Sequence, residues 1–193
     1  ATQRDIDEMA GEYGKLDIAQ NLKQMLDAQA GQFLGQPVDL REHGLQTASR
    51  AYRAGESDDI VVAALFHDVT EHLVPRAHGE AAAAILAPYV DEVTHWILSQ
   101  HEVFQGYYYF DKVGDDPNKR DALKGSPHWE LARRFCEEYD QTAFDPSYPS
   151  LPIDFLFREN FFSLRILLVS PLSERKTSRY MYKAAAYDRD QPS

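Results

Sequence analysis

Apolar residues recur at steps of three and four positions over most of the chain, which is the spacing of amphipathic helices. The first such stretch, residues 17–30, predicts a helix that ends near Gly31. Asp39 can cap the next helix, with Glu42 at the capping-box position, and we expect that helix to extend to about Gly55. The first quarter of the chain therefore predicts two helices joined by a short loop.

The stretch from Ile60 to Phe66 is apolar nearly all round rather than on one face. Asp58 or Asp59 can cap a helix here, and we expect that helix to continue into His67 and Asp68. A helix that is apolar on all sides is buried on all sides. This helix is therefore predicted to be the central one.

The second half of the chain predicts further helices, over residues 77–88, 90–102, 129–141 and about 153–162. Residues 105–127 instead combine four aromatic residues, Tyr107 to Phe110, with a polar run that contains Gly and Pro, and they predict a long loop or lid. The predicted fold class is all-α, a single helical bundle. We place the domain at residues 1–170, with its core at about 30–163, and expect 171–193 to be a polar, basic tail.

Charge and composition exclude several classes of function. The chain has 193 residues and a net charge of −11, which argues against nucleic-acid binding because phosphate backbones require a concentrated basic surface. No run approaches the roughly 18 apolar residues of a membrane span, and the N-terminus has no apolar signal core. The single cysteine, Cys136, rules out an internal disulfide and fits a reducing compartment. We therefore expect a cytoplasmic protein with no membrane partner.

Histidine and aspartate residues carry the strongest indication of function. Adjacent residues on a helix point about 100° apart, so His67 and Asp68 can place an imidazole on one metal and a carboxylate between two. A single histidine is more often an ordinary core or surface residue, but burying Asp68 beside His67 is costly unless the two bind something. The pattern predicts a dinuclear metal centre. Its candidate ligands are His43, His67, Asp68, His78, His101 and Asp140.

These residues lie in motifs that resemble a known superfamily. The runs 40–48 (LREHGLQTA) and 62–68 (VAALFHD) resemble the first two motifs of the HD superfamily, most of whose members are metal-dependent phosphohydrolases. The run 78–86 (HGEAAAAIL), Gln100-His101 and Glu138-Tyr139-Asp140 are similar to a narrower branch, the HD-domain mixed-valence diiron oxygenases. That branch comprises the phosphonate-cleaving dioxygenases and, more distantly, myo-inositol oxygenase. The similarity covers roughly residues 30 to 160.

The resemblance implies a ligand set and a reaction. The set is His43, His67 and Asp140 on one iron, His78 and His101 on the other, and Asp68 as the bridge. In that family the ferric ion holds the substrate through an alcohol oxygen and a neighbouring oxyanion, the ferrous ion binds oxygen, and hydrogen is removed from the hydroxylated carbon. For a phosphonate, C–P cleavage and release of phosphate come next. The implied cofactors are Fe(II)/Fe(III), with Mn, Ni, Co or Zn as alternatives, and the implied partners are a small anionic substrate and O2. We expect a monomer or homodimer.

The chain also departs from that branch. Where the phosphonate oxygenases have a tyrosine and a glutamate that guard the iron and recognise an amine, this chain has Phe33 and Gln36, so an aminated substrate is disfavoured. Gln105 stands where the family has a lysine that helps to bind phosphonate. We predict substrate-binding roles for Gln36, Gln105, Lys112 and His128. The lysine and arginine residues from Lys112 to Lys124 could form an anion-binding rim, although a solvated loop is the simpler interpretation.

Glu71 leaves a second function open. It lies four residues after His67 and thus on the same face of a continuing helix. His-Asp-x-x-Glu resembles the HD-superfamily deoxynucleotidases, in which such a glutamate positions or activates the attacking water. We therefore predict Asp68 and Glu71 as catalytic residues, with phosphoester hydrolysis as the alternative to oxygenation. A binding or regulatory protein that is stabilised by its metal is a third possibility.

Overall fold

The structure is a computed structural model that describes residues 2–13 and 17–158. These residues contain helices and no strand, so the predicted all-α fold class is confirmed. The α-helices are α1 (Gln3–Tyr13), α2 (Ile18–Asp27), α3 (Leu40–Arg53), α4 (Asp58–Phe66), α5 (His78–Leu86), α6 (Glu92–Gln105) and α7 (Trp129–Arg134). A π-helical turn, Phe135–Asp140, continues α7, and residues 153–158 are also helical.

The predicted cap of α3 is present, and α2 also has an aspartate cap. Asp17 accepts a hydrogen bond from the Gln20 N–H at 3.0 Å at the start of α2, and Asp39 accepts one from the Glu42 N–H at 2.8 Å at the start of α3. The cap of α4 differs from the prediction, because Ser57 rather than Asp58 or Asp59 accepts the N–H of Ile60. Asp58 and Asp59 instead lie in the first turn of α4, where a negative charge is favourable.

α4 is the central helix, as its apolar pattern predicts. Every residue from Val61 to Phe66 is buried, and α3 packs closely along it. The close approach depends on Gly44, since a Cβ atom there would lie 2.7 Å from the backbone oxygen of Leu65. α5 packs on α6 in the same way through Gly79, whose Cβ position is 3.0 Å from the His101 ring.

The prediction that α4 continues through Asp68 is wrong. The helix ends at Phe66, and residues 67–73 form hydrogen-bonded turns, with the Val69 N–H donating to Phe66 O and the Glu71 N–H donating to Asp68 O. These are bonds between residues three apart, which wind the chain more tightly than an α-helix does. The His-Asp pair therefore lies just past the end of a buried helix.

The segment predicted as a long loop folds into three short 3₁₀ helices, Gly106–Tyr108, Phe110–Val113 and Lys119–Leu123. Its basic residues do not form a common rim. Lys119 pairs with Asp115 at 2.5 Å, and Lys124 pairs with Asp121 at 2.9 Å. Arg120 is buried, with its guanidinium 3.5 Å from the Tyr107 ring centroid.

The helical residues 153–158 close the core. Leu156 is buried, Phe157 meets Phe66 edge-on at 6.1 Å, and Phe155 meets Tyr52 in the same way at 5.3 Å. The predicted polar tail, 171–193, lies outside the described residues. No helix within the described ranges is both long enough and apolar enough to cross a membrane.

Candidate metal centre

Four imidazoles and two carboxylates from five parts of the fold converge at one place. α3 supplies one histidine, the turn after α4 supplies the adjacent His and Asp, and the first residue of α5 supplies the next histidine. α6 and the last residue of the π-helical turn complete the group. The residues, in chain order, are His43, His67, Asp68, His78, His101 and Asp140.

The first half of the group is fully buried. The Nε2 atoms of His43 and His67 lie 3.0 Å apart, and both face Asp140 Oδ1, at 3.2 and 3.5 Å. These three side chains are at most 2% exposed. Their donor atoms also lie within 4.8 Å of one another, close enough to share one ion.

Asp68 joins this half to a second half. Its Oδ2 lies 3.3 Å from His43 Nε2 and 3.2 Å from His67 Nε2. Its Oδ1 lies 3.2 Å from His78 Nε2 and 3.1 Å from His101 Nε2. Each oxygen of one carboxylate therefore faces a different pair of imidazoles, which is the arrangement that a bridging carboxylate requires.

The outer nitrogens of the four rings fix the tautomers. Nδ1 of His43, His67 and His101 lies 3.0, 2.9 and 2.7 Å from the carbonyl oxygens of Ala143, Ala64 and Leu98, and His78 Nδ1 lies 3.3 Å from Pro75 O. A carbonyl can only accept, so each Nδ1 carries the hydrogen and each Nε2 lone pair points inward. The six side chains are suited to bind metal ions. The Nε2 lone pairs of His43 and His67 face each other at 3.0 Å and repel unless a cation lies between them. Oδ2 of Asp140 is buried and has no hydrogen-bond partner among the described residues, so it is also available to bind a metal ion.

The electrostatics of the metal-free group agree with this geometry. Burial lowers the pKa of His43, but hydrogen bonds to Asp140 and Asp68 outweigh it and raise the pKa to about 9. Burial also lowers the pKa of His78, and the hydrogen bond and charge of Asp68 raise it to about 9. Burial raises the pKa of Asp68, but the charge of His67 and hydrogen bonds from the imidazoles hold it well below its usual range. Protons therefore occupy the positions that cations would take.

Several residues that support the centre were not predicted from the sequence. The Gln29 side chain donates to the backbone oxygen of Asp68 at 2.6 Å, and Phe144 stacks on the His43 ring at 4.3 Å. Glu102 Oε1 lies 3.3 Å from His78 Nδ1 and accepts the Gly79 N–H at 2.6 Å. The one sequence signal that points to Glu102 is its position next to His101.

Tyr109 lies near the carboxylates of the centre. Burial raises the pKa of its phenol, and the negative charges of Glu102, Glu71, Asp68 and Asp140 raise it further. The side chain is nonetheless partly open to solvent. The phenol of Tyr109 therefore lies in the electric field of the centre while its side chain stays accessible to solvent.

The residues predicted to bind substrate are scattered. Gln105 contacts the residue that follows Asp140, because its Nε2 donates to Gln141 Oε1 at 3.2 Å. Gln36 is exposed in the turn before α3, and Lys112 is exposed in the second 3₁₀ helix. The His128 ring packs on Trp96 at 5.8 Å. The structure thus links one of the four to the neighbour of a candidate ligand.

Glu71 is half-buried in the turns that come after Asp68. Burial and the charge of Asp68 raise its pKa to about 7. The predicted placement on the His67 face of a helix does not hold, since the helix ends before it. Its carboxyl still lies in the electric field of the centre, because Asp68, His78, His67 and His43 all act on its pKa.

Comparison with known proteins gives two findings. A family model described as "HD domain" matches residues 40–142. A curated relative from Leisingera caerulea is 27% identical over 113 residues, which is 50% of this chain and 58% of the relative. It is named "[1-hydroxy-2-(trimethylamino)ethyl]phosphonate dioxygenase (glycine-betaine-forming)". The chain thus spans less than two thirds of the length of that relative.

Proposed function

Because this chain belongs to the HD domain family, whose members are typically metal-dependent enzymes, we propose that it is a diiron-dependent oxygenase. The proposed substrate is a small hydroxylated compound with an oxyanion next to the hydroxylated carbon, such as an organophosphonate. The proposed reaction is oxidative cleavage of the C–P bond, in which a 1-hydroxyphosphonate and O2 give a carboxylic acid and phosphate.

One observation carries the proposal: the two oxygens of Asp68 face two separate pairs of imidazoles. We assign the first iron to His43, His67 and Asp140, the second to His78 and His101, and the bridge to Asp68. A hydrolase that needs a single ion has no use for the second pair of histidines. The name of the relative supports the choice of O2 as co-substrate and of a hydroxylated phosphonate as substrate class.

Different residues of the chain would have separate roles around the bound ions and the substrate. When bound, the ions supply binding of the substrate oxygens and one-electron chemistry with O2. The buried first half of the centre excludes water from that side, and the side near His78, whose side chain is 12% exposed, is the proposed side of entry. Gln105, held by Gln141, is the proposed contact for the oxyanion, and the Tyr109 hydroxyl can donate a hydrogen bond to it.

The identity of the substrate is narrowed by Gln36. Its amide is neutral and exposed, so it offers no charge to a substrate ammonium group. We therefore propose a hydroxyphosphonate that lacks a cationic amine, in contrast to the trimethylamino compound in the relative's name.

The test combines metal content, EPR and product release. Anaerobically purified, iron-loaded and partly oxidised protein should hold two irons per chain and give a coupled mixed-valence EPR signal that shifts when 1-hydroxyethylphosphonate is added. Phosphate release from that compound should consume O2 and stop without it. One bound metal, or phosphate release that is indifferent to O2, would contradict an oxygenase.

Glu71 supports hydrolysis of a small phosphate ester or nucleotide as the second candidate. A half-buried carboxyl beside Asp68 is placed to hold or receive a proton from an attacking water. In that case Mn²⁺- or Co²⁺-loaded protein would release phosphate from a nucleoside monophosphate without O2. Glu71→Gln would abolish this release while the metals stay bound, and it would leave oxygen-dependent turnover largely intact.

A further inference from the structure

Glu102 touches the second half of the centre without facing its interior. Its Oε1 lies 3.3 Å from His78 Nδ1, on the side of the ring opposite to Asp68. The same oxygen accepts the backbone N–H of Gly79 at 2.6 Å. One carboxylate oxygen therefore contacts both the ring of His78 and the backbone of the next residue.

His78 is the only one of the four histidines that has such a carboxylate within the described residues. Nδ1 of His43, His67 and His101 meets a backbone carbonyl at 3.0 Å or less, whereas the carbonyl contact of His78, to Pro75, is 3.3 Å. A carboxylate on the outer nitrogen of a metal-binding imidazole fixes the tautomer and makes the inner nitrogen a stronger donor.

The contact between Glu102 and the Gly79 N–H also caps the start of α5. Its N-cap residue, Ala77, makes no side-chain capping bond, so the free N–H groups of the first turn lack a local acceptor. Glu102 supplies one from α6, at the helix end where a negative charge is favourable. Gly79 allows α5 to approach α6 closely enough for this contact, because a Cβ atom there would lie 3.0 Å from the His101 ring and from Leu98 O.

His78 also has less packing to hold it than the buried ligands have. Its side chain is 12% exposed, against 2% for His43 and 0% for His67. The orientation of the His78 ring therefore depends more on hydrogen bonds than on surrounding side chains. Glu102 gives the ring a charged partner that the buried rings do not need.

We propose that Glu102 is a positioning residue for the second metal ion: it orients His78 and strengthens it as a ligand, without itself binding the ion. This inference rests on the two-metal centre of the proposed function. The affinity of the second ion, but not that of the first, then depends on the carboxylate of Glu102 in α6.

The test is an anaerobic titration of the metal-free full-length chain with Fe²⁺, with bound iron per chain as the readout. Glu102→Gln keeps an oxygen for the Gly79 N–H and removes the charge. We expect the first ion to bind with unchanged affinity and the second to bind about tenfold more weakly. Glu102→Asp, which restores the charge on a shorter side chain, should recover part of the loss.

Glu80→Gln is the matched control, since Glu80 is an exposed carboxylate in the same first turn of α5. It should leave both affinities unchanged. The inference is overturned if Glu102→Gln binds both ions as the wild type does, or weakens both sites equally while circular dichroism shows an intact fold. A wild-type chain that never binds a second ion would instead refute the two-metal centre itself.

Discussion

Asp68 is the residue whose loss should affect both metal ions. Its two oxygens lie 3.1 to 3.3 Å from four imidazole nitrogens, two on each side. Asp68→Asn keeps the size of the side chain but removes the charge and turns one oxygen into a donor that faces two lone pairs. We expect a loss of affinity of about tenfold or more at both sites and loss of turnover, measured by bound metal per chain after dialysis.

Asp140→Asn provides the comparison, because Asp140 faces His43 and His67. It should weaken the first ion and spare the second. If the two variants lost the same single ion, Asp68 would not be a bridge. Asp111→Asn, at an exposed position in the second 3₁₀ helix, serves as the control for a charge removed elsewhere.

The buried imidazoles predict an unusual pH dependence for the metal-free protein. The pKa of His43 is raised from 6.5 to about 9, so its protonated form stabilises the fold fully below pH 6.5, and that stabilisation is lost as pH rises through 9. The free energy of unfolding should therefore fall by about 2 kcal/mol between pH 7 and 9 from this residue alone. Urea denaturation at both pH values measures it.

Metal affinity should have the opposite pH dependence to the stability of the metal-free protein. A bound ion requires the unprotonated imidazole, so metal affinity should rise over the same pH interval as fewer protons have to be displaced. A titration of the metal-free protein in weakly buffered solution at pH 7 should release protons as metal is added. Metal-free stability that stays flat or increases from pH 7 to pH 9 would show that the imidazoles are already neutral.

The convergence of the candidate ligands could be predicted because few side chains bind metal and because their motifs are intact, whereas their role as ligands stays a prediction. His67 and Asp68 come directly after an apolar run, and this position alone marks them as buried polar residues. Glu102 and Gln29 could not be found in this way. Glu102 in α6 and Gln29 in the turn after α2 each contact a distant part of the chain, and such a contact depends on how the elements pack rather than on local pattern.

At the level of helices, Gly44 sets the distance between α3 and α4. Gly44→Ala places a methyl group 2.7 Å from Leu65 O, and backbone oxygen cannot move aside as a side chain can. The helices must separate, which costs about 1 to 3 kcal/mol. For a chain of this size we expect the melting temperature to fall by roughly 2 to 10 °C. Because His43 precedes Gly44, affinity for the first ion should fall as well.

Gly125→Ala is the matched control, since nothing lies within 4 Å of the Cβ position there. It should leave the melting temperature and metal content unchanged. If Gly44→Ala melts like the control and binds the first ion normally, the contact between α3 and α4 does not set the geometry of the centre.

Most helix positions could be predicted from periodicity, but α1 and two helix endings could not. α4 ends at Phe66, and α7 widens into a π-helical turn in which the Gln141 N–H donates to Cys136 O at 2.8 Å. A π-helical turn inserts one residue and rotates the residues after it, and such turns are frequent at functional sites. Both irregularities lie beside a candidate ligand, Asp68 and Asp140 respectively. Their cause is the convergence of several helices, which no single stretch of sequence encodes.

At the level of the whole molecule, the core extends beyond the segment that defines the family. The HD domain match covers residues 40–142, yet Leu22 and Leu26 of α2 and Leu156 are fully buried. The all-α class could be predicted from the helical periodicity of the chain. The way in which distant segments complete one core could not, because it depends on contacts such as that between Phe66 and Phe157.

Two shortened chains would define the domain, which we propose to end near residue 170. Ending the chain after residue 150 removes Leu156 and the two aromatic contacts of Phe155 and Phe157, so it should cost about 3 kcal/mol or more and lower metal content. Ending it after residue 170 keeps all three residues and should leave the urea midpoint and the bound metal unchanged. If removal of 171–193 alone destabilised the protein or lowered its metal content, the proposed boundary would be wrong, and the C-terminal segment would have to be counted as part of the domain.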